Sequence, residues 1–143
     1  MYSVIKHIDF CYGHRLLDHD GVCKHLHGHN AVAEVELRTA QLDDRNMVCD
    51  FGEIKRVVKA WIDEELDHKM LLRHDDPLVK PLQQFGEPVY LLESNPTAER
   101  LARLIYDYAS QHGFPVVSVK LWETPTSCAE YSECSTSVDS PNP

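Results

Sequence analysis

A long alternation of apolar and polar side chains, starting at His27, constrains the fold of this chain more than any other feature. A period of two residues is typical of a β-strand that buries one face. His27 and His29 extend the apolar row toward one end of the strand, so their imidazoles share one face. The alternation consists of an apolar set, Ala31, Ala33, Val35 and Leu37, and a polar set, Asn30, Glu34, Glu36 and Arg38.

The histidine pair belongs to the stretch Cys23-Lys-His-Leu-His-Gly-His29, which predicts a metal site. Convergent neutral imidazoles are suitable first ligands for zinc, and His14 is the upstream candidate for the third ligand. A set of three histidines leaves the fourth tetrahedral position open, which is typical of a catalytic rather than a structural zinc. The alternative interpretation, solvated imidazoles in a loop, stays open for His7, His19 and His25.

The composition predicts one soluble domain, which we place at residues 1–134. The chain has 143 residues, 43% hydrophobic and 26% charged, enough for a core of its own. We find no apolar run that spans a bilayer and no signal peptide. The five cysteines, an odd number without an export signal, favour reduced thiols in the cytoplasm. The tail 135–143, rich in serine and proline, is expected to be disordered.

The charge of the chain argues against one class of partner. The formal net charge is −9, and no run of lysines and arginines forms a basic patch. General binding to nucleic-acid phosphates is therefore not expected, and no membrane partner is expected either.

The periodicity of the chain predicts an α+β domain. A helix is predicted over 51–66, with Asp50 as its cap, and a second one from Asn95-Pro96 to Gly113, with Asn95 as its cap. The order ββααββ predicts a four-stranded antiparallel sheet with two helices on one face. Strands are predicted over 2–10, from 27 onward, over 116–123 and weakly over 128–134, with loops over 11–26 and 73–92.

The predicted strand over 116–123 ends its apolar row with a carboxylate. Val117, Val119 and Leu121 share one parity, and Glu123 is the next member of that row. Such a residue either turns to solvent at the strand end or lies at the floor of a pocket. The pattern alone leaves both interpretations open.

A set of motifs resembles those of the 6-pyruvoyl-tetrahydropterin synthase family. The short spacing from Cys23 to His27 is most similar to its 6-carboxy-5,6,7,8-tetrahydropterin synthase branch, which serves queuosine and other deazapurine pathways. The resemblance implies the tunnelling fold, whose members form trimers that pair into hexamers, with active sites between subunits. The motifs follow the family's order and are Gly13-His14-Arg-Leu, Cys23-x-x-x-His27-Gly-His29, Leu66-Asp67-His68, Asn95-Pro96-Thr97-x-Glu99 and Glu123-Thr124.

The resemblance implies a lyase that converts 7,8-dihydroneopterin triphosphate to 6-carboxy-5,6,7,8-tetrahydropterin, acetaldehyde and triphosphate. It implies one zinc ion per subunit, a Lewis acid for side-chain oxygens, held by His14, His27 and His29. Cys23 would be the proton-abstracting base, with the role of a fourth zinc ligand at rest left open.

The remaining motifs imply an acid–base pair and a pterin anchor. Asp67 and His68 resemble the family's second acid–base pair, in which a carboxylate orients an imidazole. Neighbours on a regular helix do not face each other, so the helix must end here or the partners must come from different chains. Glu123 would accept two pterin N–H groups, and Thr97 would either bind the pterin or only cap a helix.

Two other functions remain open from the sequence. One is a 6-pyruvoyl-tetrahydropterin synthase, which eliminates triphosphate without releasing acetaldehyde, and the other is a non-catalytic zinc- and pterin-binding protein. The chain departs from the family pattern at Cys11-Tyr12-Gly13, where small residues are usual, at His25 and in the long loop 73–92. These departures bear on substrate preference more than on the metal site.

Overall fold

The computed structural model describes residues 1–133 of the chain as an α+β structure. Its strands are β1 (Tyr2–His14), β2 (His27–Thr39), β3 (Lys69–Arg73), β4 (Val89–Leu92), β5 (Val116–Thr124) and β6 (Ser127–Ser132). Its helices are α1 (Phe51–Ile54), α2 (Ala60–Glu65), α3 (Val79–Gln84) and α4 (Ala98–Gln111), with a π-helical turn (Lys55–Lys59) between α1 and α2 and a 3₁₀ turn at Val22–Lys24.

The strands form one six-stranded sheet in the order β4-β3-β1-β2-β5-β6. The pairs β1–β2, β2–β5 and β5–β6 are antiparallel, as predicted, whereas β3 is parallel to β1 and β4 is parallel to β3. The prediction of a four-stranded antiparallel sheet is therefore wrong in extent. The segment 69–92 adds two strands because its short apolar runs are buried at Leu71, Leu72 and Leu92.

The first strand is longer than predicted and reaches the metal-site motif. β1 pairs with β2 from Tyr2 opposite Thr39 to His14 opposite His27, so residues 11–14 are strand rather than loop. The loop prediction for 73–92 is also wrong, because α3 and β4 lie within it.

The hydrophobic core lies between one face of the sheet and the helices. Ile8 and Phe10 of β1 pack in one cluster with β2, with Ile62 of α2 and with Ile105 of α4. Burying a side chain of this size contributes about 1.5–3 kcal/mol. The predicted placement of both helices on one face is confirmed, because they share this cluster.

Of the two predicted helix caps, one is confirmed and the other is wrong. Asp50 caps α1, since its side chain accepts a hydrogen bond from the Gly52 amide. The prediction of Asn95 as a cap is wrong: Thr97 caps α4, and Asn95 instead makes two hydrogen bonds to the backbone of Leu17.

None of the helices within residues 1–133 combines the length and the apolar character needed to cross a membrane. The tail 135–143, predicted to be disordered, lies outside the described residues.

Candidate metal centre

Three histidines converge at one end of the sheet. His14 ends the row of β1 side chains that includes Ile8 and Phe10, and His27 and His29 begin the inward row of β2. One nitrogen from each ring lies within 4.8 Å of the other two. The ring centroids are separated by 4.5 Å for His14 and His27, 5.1 Å for His14 and His29, and 5.3 Å for His27 and His29. The structure thus brings together all three sequence-predicted ligands.

Backbone carbonyls orient two of these rings. His14 Nδ1 lies 2.7 Å from the Pro96 carbonyl oxygen, and His27 Nδ1 lies 2.7 Å from the His25 carbonyl oxygen. A carbonyl only accepts, so each Nδ1 carries the proton and each Nε2 keeps its lone pair. Burial lowers the pKa of His14, which favours the neutral form that binds metal.

His14 Nε2 is a buried nitrogen without a hydrogen-bond partner among the described residues. Buried polar atoms in folded proteins are nearly always satisfied, and an exception calls for an explanation. A nitrogen lone pair that faces two further imidazoles is suited to a metal ion, so the donor set fits zinc. Among residues 1–133, these three form the group of potential metal ligands at this end of the sheet.

A cavity of about 480 Å³ opens onto the three imidazoles. Cys23, Thr97 and Glu123 also line this cavity, so three further sequence-predicted site residues meet the histidines here. Cys23 comes from the 3₁₀ turn, and its carbonyl accepts a hydrogen bond of 2.9 Å from the Leu16 amide. A half-buried thiol and a carboxylate therefore face the same space as the candidate metal ligands.

Two polar contacts fasten the loop that carries Cys23. The Arg15 guanidinium donates two hydrogen bonds, of 2.7 and 2.6 Å, to the Asp76 carboxylate, whose side chain is 0% exposed. Burial alone would raise the pKa of Asp76, but Arg15 and the Leu78 amide outweigh it and hold that pKa below its usual value. The side chain of Asn95 holds Leu17 in the same loop. Sequence reasoning missed this clamp, because its partners are far apart in the chain.

Tyr12 is a further residue of this site that sequence reasoning treated only as a departure from the family. Its hydroxyl donates a hydrogen bond of 2.8 Å to Glu123 Oε1, which also lies 3.8 Å from Nε2 of both His14 and His29. Burial and the neighbouring carboxylate raise the pKa of Tyr12, so the hydroxyl stays a donor. The signal for this role is that Tyr12 lies on the β1 row that ends in His14.

Asp67 and His68 form a hydrogen-bonded pair in a different place. His68 Nδ1 lies 2.7 Å from Asp67 Oδ2, because α2 ends at Glu65 and His68 has a left-handed φ of 57°. Burial tends to raise the pKa of Asp67, but hydrogen bonds from the Cys11 amide and from His68 lower it below its usual value. His68 lines a second cavity, of about 640 Å³, whereas Cys23 lines the first.

The fold and site together define an α+β protein with a three-histidine candidate metal centre. A family model described as 6-pyruvoyl tetrahydropterin synthase matches residues 3–134. The chain therefore belongs to the 6-pyruvoyl tetrahydropterin synthase family.

Individual relatives agree with this family. A curated 6-carboxy-5,6,7,8-tetrahydropterin synthase from Rickettsia conorii is 38% identical over 140 residues, which cover 91% of this chain and 99% of that protein. The crystal structure of an uncharacterized protein from Wolinella succinogenes is similar with a TM-score of 0.77 and 28% identity, covering 92% of this chain and 97% of that one. The structure of 6-pyruvoyl tetrahydropterin synthase from Caenorhabditis elegans is similar with a TM-score of 0.69 and 24% identity, covering 93% of this chain and 96% of that one. At this identity the similarity supports a shared fold and nothing further.

Proposed function

We propose that this chain is a zinc-dependent lyase that converts 7,8-dihydroneopterin triphosphate to 6-carboxy-5,6,7,8-tetrahydropterin, acetaldehyde and triphosphate, a step of queuosine and other deazapurine biosynthesis. The observation that carries the proposal is the single cavity in which Cys23 and Glu123 face the three convergent imidazoles. The name of the Rickettsia conorii relative, which is similar over nearly its whole length, supports the same reaction.

We assign the metal and the base to this cavity. His14, His27 and His29 would hold one zinc ion per chain. When bound, zinc supplies Lewis-acid stabilisation of negative charge that develops on side-chain oxygens. Cys23 faces the same space, and its thiolate is assigned the removal of a proton from a substrate carbon beside a hydroxyl, which returns Cys23 to the thiol.

We assign the pterin ring to Glu123. A carboxylate accepts the 2-amino group and the adjacent ring N–H in a bidentate pair, and Tyr12 fixes the orientation of this carboxylate. Thr97 caps α4 through a long hydrogen bond of 3.4 Å to the Arg100 amide, so its hydroxyl keeps the capacity to donate to a ligand. The cap role and the pterin role of Thr97 are therefore compatible.

We further propose that the working protein is a homo-oligomer, a trimer or a hexamer. Asp67 and His68 are assigned as the second acid–base pair, yet His68 and Cys23 line different cavities of one chain. A neighbouring copy that brings its Asp67–His68 pair to the Cys23 cavity completes the set. The edge strands β4 and β6 offer backbone groups for such pairing.

We place the protein in a reducing compartment, the cytoplasm. The four described cysteines, Cys11, Cys23, Cys49 and Cys128, all carry free thiols. Free thiols persist in reducing compartments, where glutathione and thioredoxin keep cysteines reduced.

The test is product analysis by mass spectrometry after incubation of zinc-loaded protein with 7,8-dihydroneopterin triphosphate. Release of acetaldehyde together with 6-carboxy-tetrahydropterin supports the proposal. A 6-pyruvoyl product assigns the alternative elimination, and an unchanged substrate contradicts the assignment as a lyase.

A pair of cysteine variants tests the assigned base. The substitution Cys23→Ala is expected to abolish turnover while zinc and pterin binding stay near those of the unmodified protein. The matched control is Cys49→Ala, which removes another half-buried thiol, one that packs beside α1. Equal turnover of the Cys23 and Cys49 variants removes the thiol from the mechanism.

A further inference from the structure

A second group of potential metal ligands lies outside the three-histidine centre. Cys11, Asp67 and His68 each offer one ligand atom, and these atoms lie within 4.8 Å of one another. Cys11 belongs to the alternate row of β1, so its thiol points to the opposite face of the sheet from His14. A thiol, a carboxylate and an imidazole form a donor set that suits zinc and similar divalent ions.

Backbone contacts hold this group in place. The Cys11 amide donates a hydrogen bond of 2.8 Å to Asp67 Oδ1, and the His68 amide donates one of 2.7 Å to the Cys11 carbonyl. His68 is one of the non-glycine residues with positive φ, at 57°, which turns its ring back onto Asp67. Such a conformation costs on the order of 1 kcal/mol and persists only where the surroundings impose it.

In the single chain the group is open to an ion from solvent. The side chain of His68 is 79% exposed and that of Asp67 is 26% exposed. Cys11 and His68 both line the cavity of about 640 Å³, which gives an ion a path to the thiol.

We propose that Cys11, Asp67 and His68 form a second binding site for zinc or a similar divalent cation, and that an ion bound there inhibits the enzyme. On binding, a metal–sulfur bond replaces the S–H bond of Cys11, and the proton leaves to solvent. The ion also replaces the hydrogen bond between Asp67 and His68: the proton of His68 Nδ1 moves through solvent to Nε2, and the lone pair of Nδ1 then binds the ion. The pair therefore no longer transfers protons. The inhibition rests on the proposed acid–base role of this pair, whereas the binding site does not.

The second site binds more weakly than the three-histidine centre. The three imidazoles are neutral and already oriented by carbonyls, and His14 Nε2 has no hydrogen bond to give up within residues 1–133. The second site must lose a thiol proton and an existing hydrogen bond of 2.7 Å. It therefore fills after the first and acts when the ion is in excess.

Metal titration of the apo protein against a chromophoric chelator tests the site. The unmodified protein is expected to bind two equivalents of zinc, and Cys11→Ala one. The matched control Cys49→Ala keeps two equivalents. An equal number of equivalents for the unmodified protein and for Cys11→Ala overturns the proposal. The readout is the difference of one equivalent, so it holds whatever the three-histidine centre does.

A second variant and a spectroscopic signature guard against misfolding of Cys11→Ala. Asparagine tolerates positive φ, so His68→Asn preserves the turn and removes the imidazole, and it is also expected to lose the second equivalent. With cobalt as the probe, the second equivalent is expected to produce a thiolate-to-cobalt charge-transfer band that persists in Cys23→Ala and is absent in Cys11→Ala. A second equivalent without this band contradicts the assignment of Cys11.

Turnover measured at one and at several equivalents of zinc tests the inhibition. The ratio of the two rates is expected to fall for the unmodified protein as the second site fills and to stay near one for Cys11→Ala. A ratio near one for both proteins, with the second equivalent bound, overturns the inhibition and leaves the site standing. A protein without any turnover contradicts the proposed function, while the titration still decides the site.

Discussion

The clamp between Arg15 and Asp76 gives the sharpest prediction about stability. Replacing Arg15 by methionine keeps much of the side-chain volume and removes both hydrogen bonds to the carboxylate. The Asp76 side chain is 0% exposed, and it is left with one hydrogen bond of 2.8 Å from the Leu78 amide. Removing one partner of a buried ion pair costs about 3–5 kcal/mol. Because the Arg15 side chain is 18% exposed and water can enter its place, we expect the lower end, about 3 kcal/mol.

Replacing the other partner of the ion pair, Asp76, is expected to cost less stability than replacing Arg15. Asp76→Asn removes the negative charge but keeps an oxygen that accepts from Arg15 and from the Leu78 amide, so about 1–2 kcal/mol is expected. A matched surface control is Lys59→Met, which breaks an exposed ion pair with Asp63 on the same helical segment and is expected to cost at most about 0.5 kcal/mol.

Urea denaturation at one protein concentration measures these differences. With a slope of about 2 kcal/mol per molar urea, Arg15→Met is expected to lower the midpoint by roughly 1.5 M. A loss no larger than that of Lys59→Met, or a larger loss for Asp76→Asn than for Arg15→Met, refutes the account of the clamp as a buried charge pair.

Three further predictions concern pH, backbone packing and the proposed pterin-binding role of Glu123. The folded-state pKa of Asp76 lies below its usual 3.8, so the clamp stabilises the fold above that pH and loses this contribution as the pH falls through the folded-state value. The difference in the free energy of unfolding between the unmodified protein and Arg15→Met should therefore shrink when urea denaturation is measured below about pH 4. A Cβ on Gly28 would lie 2.9 Å from the Tyr12 carbonyl oxygen, so Gly28→Ala should cost about 1–3 kcal/mol and weaken zinc binding in a chelator titration. Tyr12→Phe removes the hydrogen bond to Glu123 and should weaken pterin binding about tenfold by fluorescence titration, with zinc content unchanged.

Matched variants make these predictions decisive. A Cβ on Gly13 would clash with the end of the flexible Met70 side chain, whereas the His27 carbonyl oxygen, at 3.5 Å, is in ordinary contact. Gly13→Ala should therefore cost less than Gly28→Ala, and the opposite order contradicts the packing argument. Tyr106 is another buried tyrosine, on α4, and it packs against Tyr131 rather than the metal centre. If Tyr106→Phe weakens pterin binding as much as Tyr12→Phe does, the hydrogen bond to Glu123 is not the cause.

The parts of the structure predicted from sequence depend on local periodicity. The period of two residues in β2 places His27 and His29 on one face, and the structure has them there. The stripe of apolar residues over 51–66 likewise predicts a helical segment, which the structure has over 51–65, with a π-helical turn in its middle. These elements are predictable because each carries its own pattern of burial.

The parts that were missed depend on contacts between distant residues. β3 and β4 are short and pair in parallel, β3 with the distant strand β1 and β4 with β3. β3 also buries the adjacent Leu71 and Leu72 rather than alternate residues. A buried strand of this kind is not distinguishable from a loop by period alone. Asn95 fits the local rule for a helix cap, but its side chain bonds Leu17, 78 residues away. Tertiary contacts thus override the local signal.

The candidate site likewise has residues that are predictable from local sequence and residues that only long-range contacts bring together. The three histidines and Cys23 stand out because they are close in sequence or fall on a strand pattern. The hydrogen bond from Tyr12 to Glu123 joins residues 111 positions apart, and only the folded sheet brings them together. The second metal-ligand group has the same origin, since Cys11 and Asp67 meet through the pairing of β1 with the turn before β3.

The most direct test of the central claim is X-ray absorption spectroscopy of protein loaded with one equivalent of zinc. We expect a first shell dominated by imidazole nitrogens at about 2.0–2.1 Å, with multiple scattering from three rings. The single variants His27→Ala and His29→Ala are each expected to lose the bound zinc. A first shell without imidazoles, or zinc retained at full stoichiometry and affinity in both variants, would contradict the claim that these three histidines form the metal centre.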